Sequence, residues 1–250
     1  MTLILLAHQD DEIPIFNELL KIGRSSEKVM VIYLTSGTKS KIFDIRRNKE
    51  SLRVLSKFNI LEEQVVFLGS ESLVFDGRLI FNLERIYLNI IKICEKYFVK
   101  KIICHAWEGG HEDHDAAYLI ALAVSIKLNI LKSTYQFPFY NGQNISVGYK
   151  LFNPLLANGS VLLTPIAFKD RIGFSLNCLF YRSQWRTMAL LLPYLIFHNF
   201  LIKNSVLQLI KPMKAIVKPH DGLLLYERRK KLNFEDFYKE ALEFVKNRIL

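Results

Sequence analysis

The sequence has few cysteines, and their spacing matches neither a zinc finger nor a disulfide framework. Cys94, Cys104 and Cys178 are the three present in 250 residues. An odd and sparse set of this kind is typical of reduced thiols in a cytosolic protein. The N-terminus also shows no basic segment followed by a small-residue cleavage site, so we expect no signal peptide. Together these absences predict a cytoplasmic protein without structural disulfides.

The sequence also lacks a long uninterrupted apolar run and a glycine-rich dinucleotide motif. The apolar run Ala189–Ile202 is interrupted by Pro193 and His198. It is too short for a transmembrane helix, which needs about 20 apolar residues. We expect it to be buried core or a lid, with an interfacial segment on a membrane as the alternative. No GxGxxG follows the first predicted strand, which counts against a dinucleotide site.

Acidic residues are the scarcer charge: 24 Asp and Glu stand against 34 Lys and Arg, for a net charge of +10. This excess favours an anionic substrate, nucleic acid or an anionic membrane surface. No predicted helix carries a basic stripe with interleaved aromatics, so we expect no nucleic-acid partner. Lys39, Lys41, Arg46 and Arg47 follow the second predicted strand. They are either a phosphate-binding rim or an ordinary solvated face, and the sequence leaves both open.

The composition is that of a packed globular protein, with half of the residues hydrophobic and 23% charged. Strand and helix patterns alternate over residues 1–140, which predicts an α/β fold with a mostly parallel sheet and right-handed crossovers. We predict a single domain over residues 1–250, in which residues 141–250 supply less regular, substrate-side and C-terminal elements. The predicted strands are Leu3–Leu6, Val29–Leu34, Val65–Leu68, Lys101–Cys104, Thr134–Phe139 and Leu223–Tyr226. The predicted helices are Ile13–Ile22, Ile45–Phe58, Leu83–Tyr97, residues 111–128 and Phe234–Arg248.

Residues that can bind a metal or transfer a proton follow two of these strands. The first strand leads into His8, Asp10 and Asp11, and the fourth is followed by His111 and His114. The carboxyl ends of parallel strands meet at the edge where ligands bind in open α/β sheets. Two imidazoles and a carboxylate match the three protein ligands of a hydrolytic zinc site, with a position left for water. The sequence therefore predicts ligands His8, Asp11 and His114, with Asp10 free to accept a proton.

The remaining polar residues of these segments receive supporting roles. His111 lies one turn before His114, so it can face the substrate while His114 binds metal. We expect Asp113 to hydrogen-bond His111 and keep it protonated. His105 supports the site, and His198 is an ordinary, partly buried side chain. The alternative for the first cluster is an Asp-rich turn that caps a helix.

The same residues resemble a known family. Ala7–Glu12, AHQDDE, closely resembles the AHPDDE signature of the PIG-L/LmbE-like deacetylases, and His111–His114, HEDH, resembles their HPDH motif. Further segments are similar to the family's LTxG, RxxE, FLG and [YH]xSQ elements, in the right order; they are Leu34–Gly37, Arg47–Glu50, Phe67–Gly69 and Tyr181–Gln184. The resemblance implies a Rossmann-like three-layer fold and Zn²⁺-dependent removal of N-acetyl groups, mostly from N-acetylglucosamine units.

Carried over by motif, the resemblance assigns roles to individual residues. The implied zinc ligands are His8, Asp11 and His114, the general base is Asp10, and the oxyanion or leaving-group partner is His111, oriented by Asp113. Arg47 and Trp107 are expected to contact the substrate. Three positions depart from the family pattern. Gln9 and Glu112 replace prolines, and Gly109 stands where some members have a tyrosine.

Three functions are compatible with these residues. The first is removal of an N-acetyl group from an N-acetylamino-sugar, including a nucleotide-linked or lipid-linked glycan precursor. The second is amide hydrolysis of a thiol conjugate, and the third is a metal-binding protein that has lost catalysis. Asp10 argues against the third, because a site that only binds metal does not need it.

Overall fold

The computed structural model describes residues 1–39, 41–212 and 217–250. Its nine strands are β1 Thr2–Leu6, β2 Val29–Tyr33, β3 Val65–Val66, β4 Lys101–His105, β5 Thr134–Phe137, β6 Tyr140–Asn141, β7 Lys150–Leu151, β8 Val161–Pro165 and β9 Asn204–Leu209. Its nine α-helices are α1 Phe16–Gly23, α2 Lys41–Ser56, α3 Leu68–Glu71, α4 Leu83–Cys94, α5 Glu112–Lys127, α6 Phe168–Asn177, α7 Trp185–Leu201, α8 Leu225–Arg228 and α9 Phe234–Arg248. These counts refer to the described ranges.

A seven-stranded sheet forms the centre of the fold, in the order β3-β2-β1-β4-β5-β9-β8. The first five strands along the chain pair with one another in parallel, which confirms the predicted α/β class and mostly parallel sheet. Strand β1 lies between β2 and β4, and all five of its side chains are buried. A continuous apolar run suits this position because both faces of the strand are covered by helices.

Helices cover both faces of the sheet and produce three layers. Leu3 and Leu5 point into one core, which also contains side chains from α4, α5 and α9. Ile4 and Leu6 point into the other core, which contains side chains from α1, α2, α6 and α7. Alternation along a strand explains the division, since successive side chains point to opposite faces.

The second half of the chain differs from the sequence prediction at its strands. Strands β9 and β8 extend the sheet with antiparallel pairing, and neither was predicted. The strand predicted at Leu223–Tyr226 is wrong, because helix α8 begins at Leu225. The Glu227 side chain accepts a hydrogen bond from the Leu224 amide at 2.6 Å and fixes the start of that helix. A short apolar run does not distinguish a strand from a buried helical turn.

The apolar run Ala189–Ile202 forms most of helix α7. Leu191 and Leu195 are buried, but most other apolar side chains of the run are exposed, so the run is not a core helix. Among the described residues, every helix falls short of the length and apolar content that crossing a membrane requires.

Candidate active site

The predicted metal ligands, with Asp10 and His111, meet at the carboxyl edge of two neighbouring strands. Strand β1 ends at Leu6, two residues before His8, and β4 ends at His105. The chain then returns to the edge at His111, the N-cap residue of α5, and His114 lies in the first turn of that helix. Pairing of β1 with β4 brings the two segments together.

His8, Asp11 and His114 form a buried cluster whose ligand-type atoms all lie within 4.8 Å of one another. Asp11 is central: its Oδ2 lies 3.3 Å from His8 Nδ1, and its Oδ1 lies 3.2 Å from His114 Nε2. The His8 amide donates to Asp11 Oδ2 at 2.6 Å and orients the carboxylate. Burial favours a higher Asp11 pKa, but the imidazoles of His114, His105 and His8 hold it well below its ordinary value. Asp11 is therefore an anionic carboxylate beside three imidazoles, since His105 Nε2 also lies 3.1 Å from its Oδ2.

This cluster has the donor set of a metal site. Both ring nitrogens of His114 are buried without a hydrogen-bond partner, although Nε2 lies close to Asp11 Oδ1. Nitrogen and oxygen atoms that converge without bonding each other are arranged as ligands of a common ion. Two imidazoles and one carboxylate fit zinc in a hydrolytic site.

A second grouping of ligand-type atoms shares His8 and contains Asp76, His111 and Asp113. Asp113 is less available for metal, because its carboxylate already accepts backbone N–H bonds from Gly77 at 2.6 Å and Leu79 at 3.0 Å. The first grouping is therefore the better candidate for metal binding.

His105 lies beneath the cluster and is fully buried. Its ring stacks on His114 with centroids 3.9 Å apart, and its Nε2 accepts the Ala7 amide at 3.2 Å. Burial, with His114 nearby, lowers the pKa of His105 to about 3. A neutral ring that packs against His114 agrees with the supporting role expected for it.

Asp10 is held in an unusual backbone conformation, with φ at +112°. Its amide donates to Glu12 Oε2 at 2.8 Å, and its Oδ1 accepts from Arg47 Nη2 at 3.0 Å. Burial raises the pKa of Asp10 to about 7 against the opposing charge of Arg47. Non-glycine residues in such conformations persist where surrounding contacts fix them, often at active sites.

The expected pairing of Asp113 with His111 is corrected by the structure. The Asp113 carboxylate lies 3.0 Å from His8 Nε2, and only its backbone amide reaches His111, donating to Nδ1 at 3.1 Å. The amides of residues 77 and 79 draw the carboxylate away from His111. Burial and the charges of His8, His114 and Lys231 hold the His111 pKa well below its ordinary value. The Asp113 carboxylate therefore does not hydrogen-bond His111, contrary to the expectation that this contact keeps His111 protonated.

Lys231 reaches the site from the C-terminal part of the chain. Its Nζ lies 3.0 Å from His111 Nε2 and 3.2 Å from Glu112 Oε1. Glu112, which replaces a family proline, is thus the counter-ion of this lysine. The other replaced proline, Gln9, donates its side-chain amide to Asn48 at 2.6 Å. Glu112 and Gln9 therefore each make a side-chain contact that a proline at the same position could not make.

The two residues expected to contact substrate have different environments. Arg47 lines the pocket, but its guanidinium already donates to the Gly37 and Gln9 carbonyls as well as to Asp10. Trp107 is fully buried in the core, and its Nε1 donates to the Val217 carbonyl at 2.8 Å. The prediction that Trp107 lines the pocket is wrong, because the chain after β4 turns its indole toward α5 and α9.

The missing tyrosine at position 109 also has a structural explanation. Gly109 has φ at +70°, and a Cβ there would lie 2.5 Å from the Leu224 side chain. A Cβ at the next residue, Gly110, would lie 2.1 Å from the Tyr140 carbonyl oxygen and 3.0 Å from the Tyr140 ring, so this glycine leaves room for Tyr140. Tyr140 contacts His114 with ring centroids 5.3 Å apart and lines the pocket. An aromatic wall therefore comes from the segment after β5.

Buried polar contacts connect the N-terminal motif to residues 181–184. Glu12 accepts hydrogen bonds from the hydroxyls of Tyr33 and Tyr181, the latter at 2.9 Å. Ser183 donates its amide and hydroxyl to Glu50, and the Gln184 amide faces Arg47. These contacts hold the loop of Asp10 and helix α2 in one arrangement.

The site residues border a cavity of about 170 Å³ that is open to solvent. Sequence reasoning missed several residues at or beside it, among them Asp76, whose Oδ1 lies 3.3 Å from His8 Nε2. Asp76 lies in a turn before Gly77, and Lys231 is the last residue of the short basic run Arg228–Lys231; neither pattern indicates a site. Among the cavity-lining residues are His8, Asp10, Arg47, Asp76, His111, His114, Tyr140 and Thr187.

Residues 3–125 match the family PIG-L, described as GlcNAc-PI de-N-acetylase. This stretch is a PIG-L domain. It extends from within β1 to within α5 and includes every residue of the two ligand groupings. A comparison with curated protein sequences gives no match.

Solved structures with the same fold extend beyond the PIG-L match. A deacetylase of teicoplanin biosynthesis has a TM-score of 0.62 at 14% identity, covering 83% of this chain and 96% of its own. The A40926 pseudoaglycone deacetylase Dbv21 has a TM-score of 0.61 at 14% identity, covering 84% and 96%. The conserved protein TT1542 from Thermus thermophilus has a TM-score of 0.58 at 16% identity, covering 87% and 97%. At these identities the likeness establishes the fold.

Proposed function

We propose that this protein is a zinc-dependent hydrolase that removes the N-acetyl group from an N-acetylamino-sugar and releases acetate. The observation that carries the proposal is the convergence of His8, Asp11 and His114 with a separate carboxylate, Asp10, at the carboxyl edge of the sheet. The PIG-L match supports the reaction class, since that family is described as GlcNAc-PI de-N-acetylase. A neighbour described as the zinc-inhibited form of teicoplanin deacetylase Orf2 supports zinc as a metal that binds this fold.

His8, Asp11 and His114 would hold the zinc. When bound, zinc supplies a Lewis acid and a water of lowered pKa. Asp11 contributes its negative charge, and His114 contributes a nitrogen without another partner. The stacked ring of His105 fixes the orientation of His114 from below.

Asp10 acts as the general base of the proposed reaction. Its carboxylate borders the cavity without belonging to either ligand grouping, and a pKa of about 7 suits a group that takes and returns a proton near neutrality. Arg47 and Glu12 hold its side chain and backbone, so the acceptor oxygen is positioned before substrate binds. Asp10 takes a proton from the attacking water, the hydroxide adds to the acetamide carbon, and Asp10 returns the proton to the leaving nitrogen as the C–N bond breaks.

His111 donates a hydrogen bond to the carbonyl oxygen as negative charge develops there. Its Nδ1 accepts the fixed Asp113 amide, so the proton of the neutral ring is on Nε2. The Lys231 ammonium lies 3.0 Å from that nitrogen and is itself only a donor, so it does not hydrogen-bond the Nε2–H; both groups instead donate to the developing oxyanion. Together they supply the stabilisation that some family members obtain from a tyrosine at the position of Gly109.

The phosphate-binding rim expected at Lys39, Lys41, Arg46 and Arg47 is reduced by internal contacts. Arg46 pairs with Glu50 at 3.3 Å, and Arg47 is buried against its own loop. Lys39 and Lys41 are exposed. These two lysines are the part of the rim that remains for a phosphorylated substrate.

The test is acetate release from a panel of N-acetylglucosamine derivatives and N-acetylated thiol conjugates, together with metal analysis of untagged protein. We expect one zinc per chain and turnover on amino-sugars. Asp11→Ala loses the metal. Asp10→Asn keeps it but loses turnover by a factor on the order of 10²–10⁴, while the exposed Asp221→Asn behaves as wild type. Turnover of Asp10→Asn near the wild-type rate would exclude Asp10 as the base. Full activity without metal would end the zinc proposal.

A further inference from the structure

Helices α6 and α7 present a continuous apolar surface to solvent, which we call the hairpin face. Ile172 and Leu176 of α6 and Ile196 and Phe200 of α7 line one apolar groove of about 230 Å³, and all four are exposed. On α7, the exposed residues Leu190 and Phe197 recur at helical spacing and extend the surface. Single exposed apolar residues are ordinary, whereas a contiguous patch marks an interaction site.

The hairpin face is fixed to the body of the protein. Leu191 and Leu195 anchor α7 in the core below, with exposed fractions of 9% and 1%. The buried Arg171 of α6 donates to carbonyls at the C-terminus of α7, including that of Phe200 at 3.0 Å. Helix α7 therefore cannot leave the fold to enter an apolar phase, and its outer side is presented as a rigid surface.

The charges around the hairpin face are almost all positive. Lys169, Arg186 and Lys203 are exposed beside it, and residues 168–203 contain a single acidic residue, Asp170. Asp170 is paired with Arg24 at 3.2 Å. The apolar surface therefore has a basic border without free acidic groups in this segment.

We propose that the hairpin face docks the protein on an anionic phospholipid bilayer. Apolar side chains bordered by Lys and Arg match the acyl boundary and the anionic headgroups of such a surface. Trp185, 64% exposed at the start of α7, and Tyr194 have the amphipathic rings that favour the headgroup level. A second copy of the chain fits less well, because a two-fold contact through this face would bring its basic borders together.

The docking surface and the cavity share one helix. Thr187, Met188 and Leu191 of α7 line the cavity, while Ile196 and Phe200 line the groove. Docking would therefore hold the cavity close to the headgroups.

The experiment is vesicle co-sedimentation without any activity readout, so that its failure is separate from failure of the proposed function. We expect binding to vesicles of phosphatidylcholine with about 30% phosphatidylglycerol, none to phosphatidylcholine alone, and weakening as salt rises. The double variant Leu190→Glu/Phe197→Glu loses binding. Arg186→Gln/Lys203→Gln, which leaves the apolar side chains intact, weakens it on the order of 30-fold, about fivefold for each basic residue.

The matched control is Val147→Glu, a substitution at a side chain 88% exposed outside the hairpin. It keeps wild-type binding, and circular dichroism verifies that every variant is folded. Absence of wild-type binding to anionic vesicles at low salt overturns the proposal, as does unchanged binding of the Leu190→Glu/Phe197→Glu variant. A wild-type dimer that this variant dissociates, without vesicle binding, would assign the face to a second copy instead.

Discussion

Glu108 offers a test of how the pocket wall is built. The fully buried carboxylate accepts the backbone amides of Phe139 at 2.7 Å and Tyr140 at 3.0 Å, the two aromatic residues beside His114. Burial raises the pKa of Glu108 from 4.5 to about 7. The folded protein therefore binds a proton at this site over a pH range in which the unfolded chain has released it.

The sign of the effect follows from that difference. Between pH 4.5 and about 7 the folded state holds the extra proton, so the contribution of Glu108 to stability falls as pH rises through this window and is constant above it. At about 1.4 kcal/mol for each pH unit, the loss is about 3 kcal/mol. Glu108→Gln keeps the carbonyl acceptor but cannot ionise, so it removes this pH dependence.

The assay is urea denaturation of wild type and Glu108→Gln from about pH 4 to 9, with the exposed Glu243→Gln as control. The difference in unfolding free energy between wild type and Glu108→Gln should move by about 3 kcal/mol in favour of the variant across the window. The negative charge of Glu108 also raises the Asp115 pKa, and Glu108→Gln removes this effect. The resulting change in pH dependence has the same sign as that from Glu108 itself. Parallel profiles, separated by a constant offset, would refute the reasoning.

Other substitutions test packing and hydrogen bonding elsewhere in the fold by chemical denaturation. Gly23→Ala should destabilise by about 3 kcal/mol or more, because the added Cβ would lie 1.6 Å from the Phe58 carbonyl oxygen. Gly173→Ala, in the middle of α6 with open space around it, should instead stabilise by about 0.5–1 kcal/mol; equal effects of the two would contradict the packing described. Ser183→Ala should cost about 1.5 kcal/mol through loss of its 2.5 Å bond to Glu50, and a neutral result would mean that this link is dispensable.

The sheet and the first half of the site could be predicted because their signals are local. The apolar run before His8 specifies a strand buried on both faces, and polar ligands at two strand ends must meet when the sheet is parallel. The structure brings together His8, Asp11 and His114 accordingly.

The errors arose where side-chain direction depends on distant backbone. Trp107 follows β4 as closely as the ligands do, yet the course of the loop sends it into the core. The Asp113 carboxylate accepts hydrogen bonds from the amides of Gly77 and Leu79, which lie more than 30 residues earlier in the chain. Lys231, which contacts His111, lies 120 residues later in the sequence. None of these partners shares a periodicity or motif with the residue that it contacts.

The central position of β1 has a consequence for synthesis on the ribosome. Its partner on one side, β2, follows soon, but its other partner is far along the chain, since Thr2 pairs with Lys101. At about 5–20 residues per second, the second edge of β1 waits on the order of 5–20 s for β4. His114 emerges later still, so the nascent chain carries His8 and Asp11 without their third partner. We therefore expect a half-made sheet in which one edge of β1 stays unpaired until β4 has been synthesised.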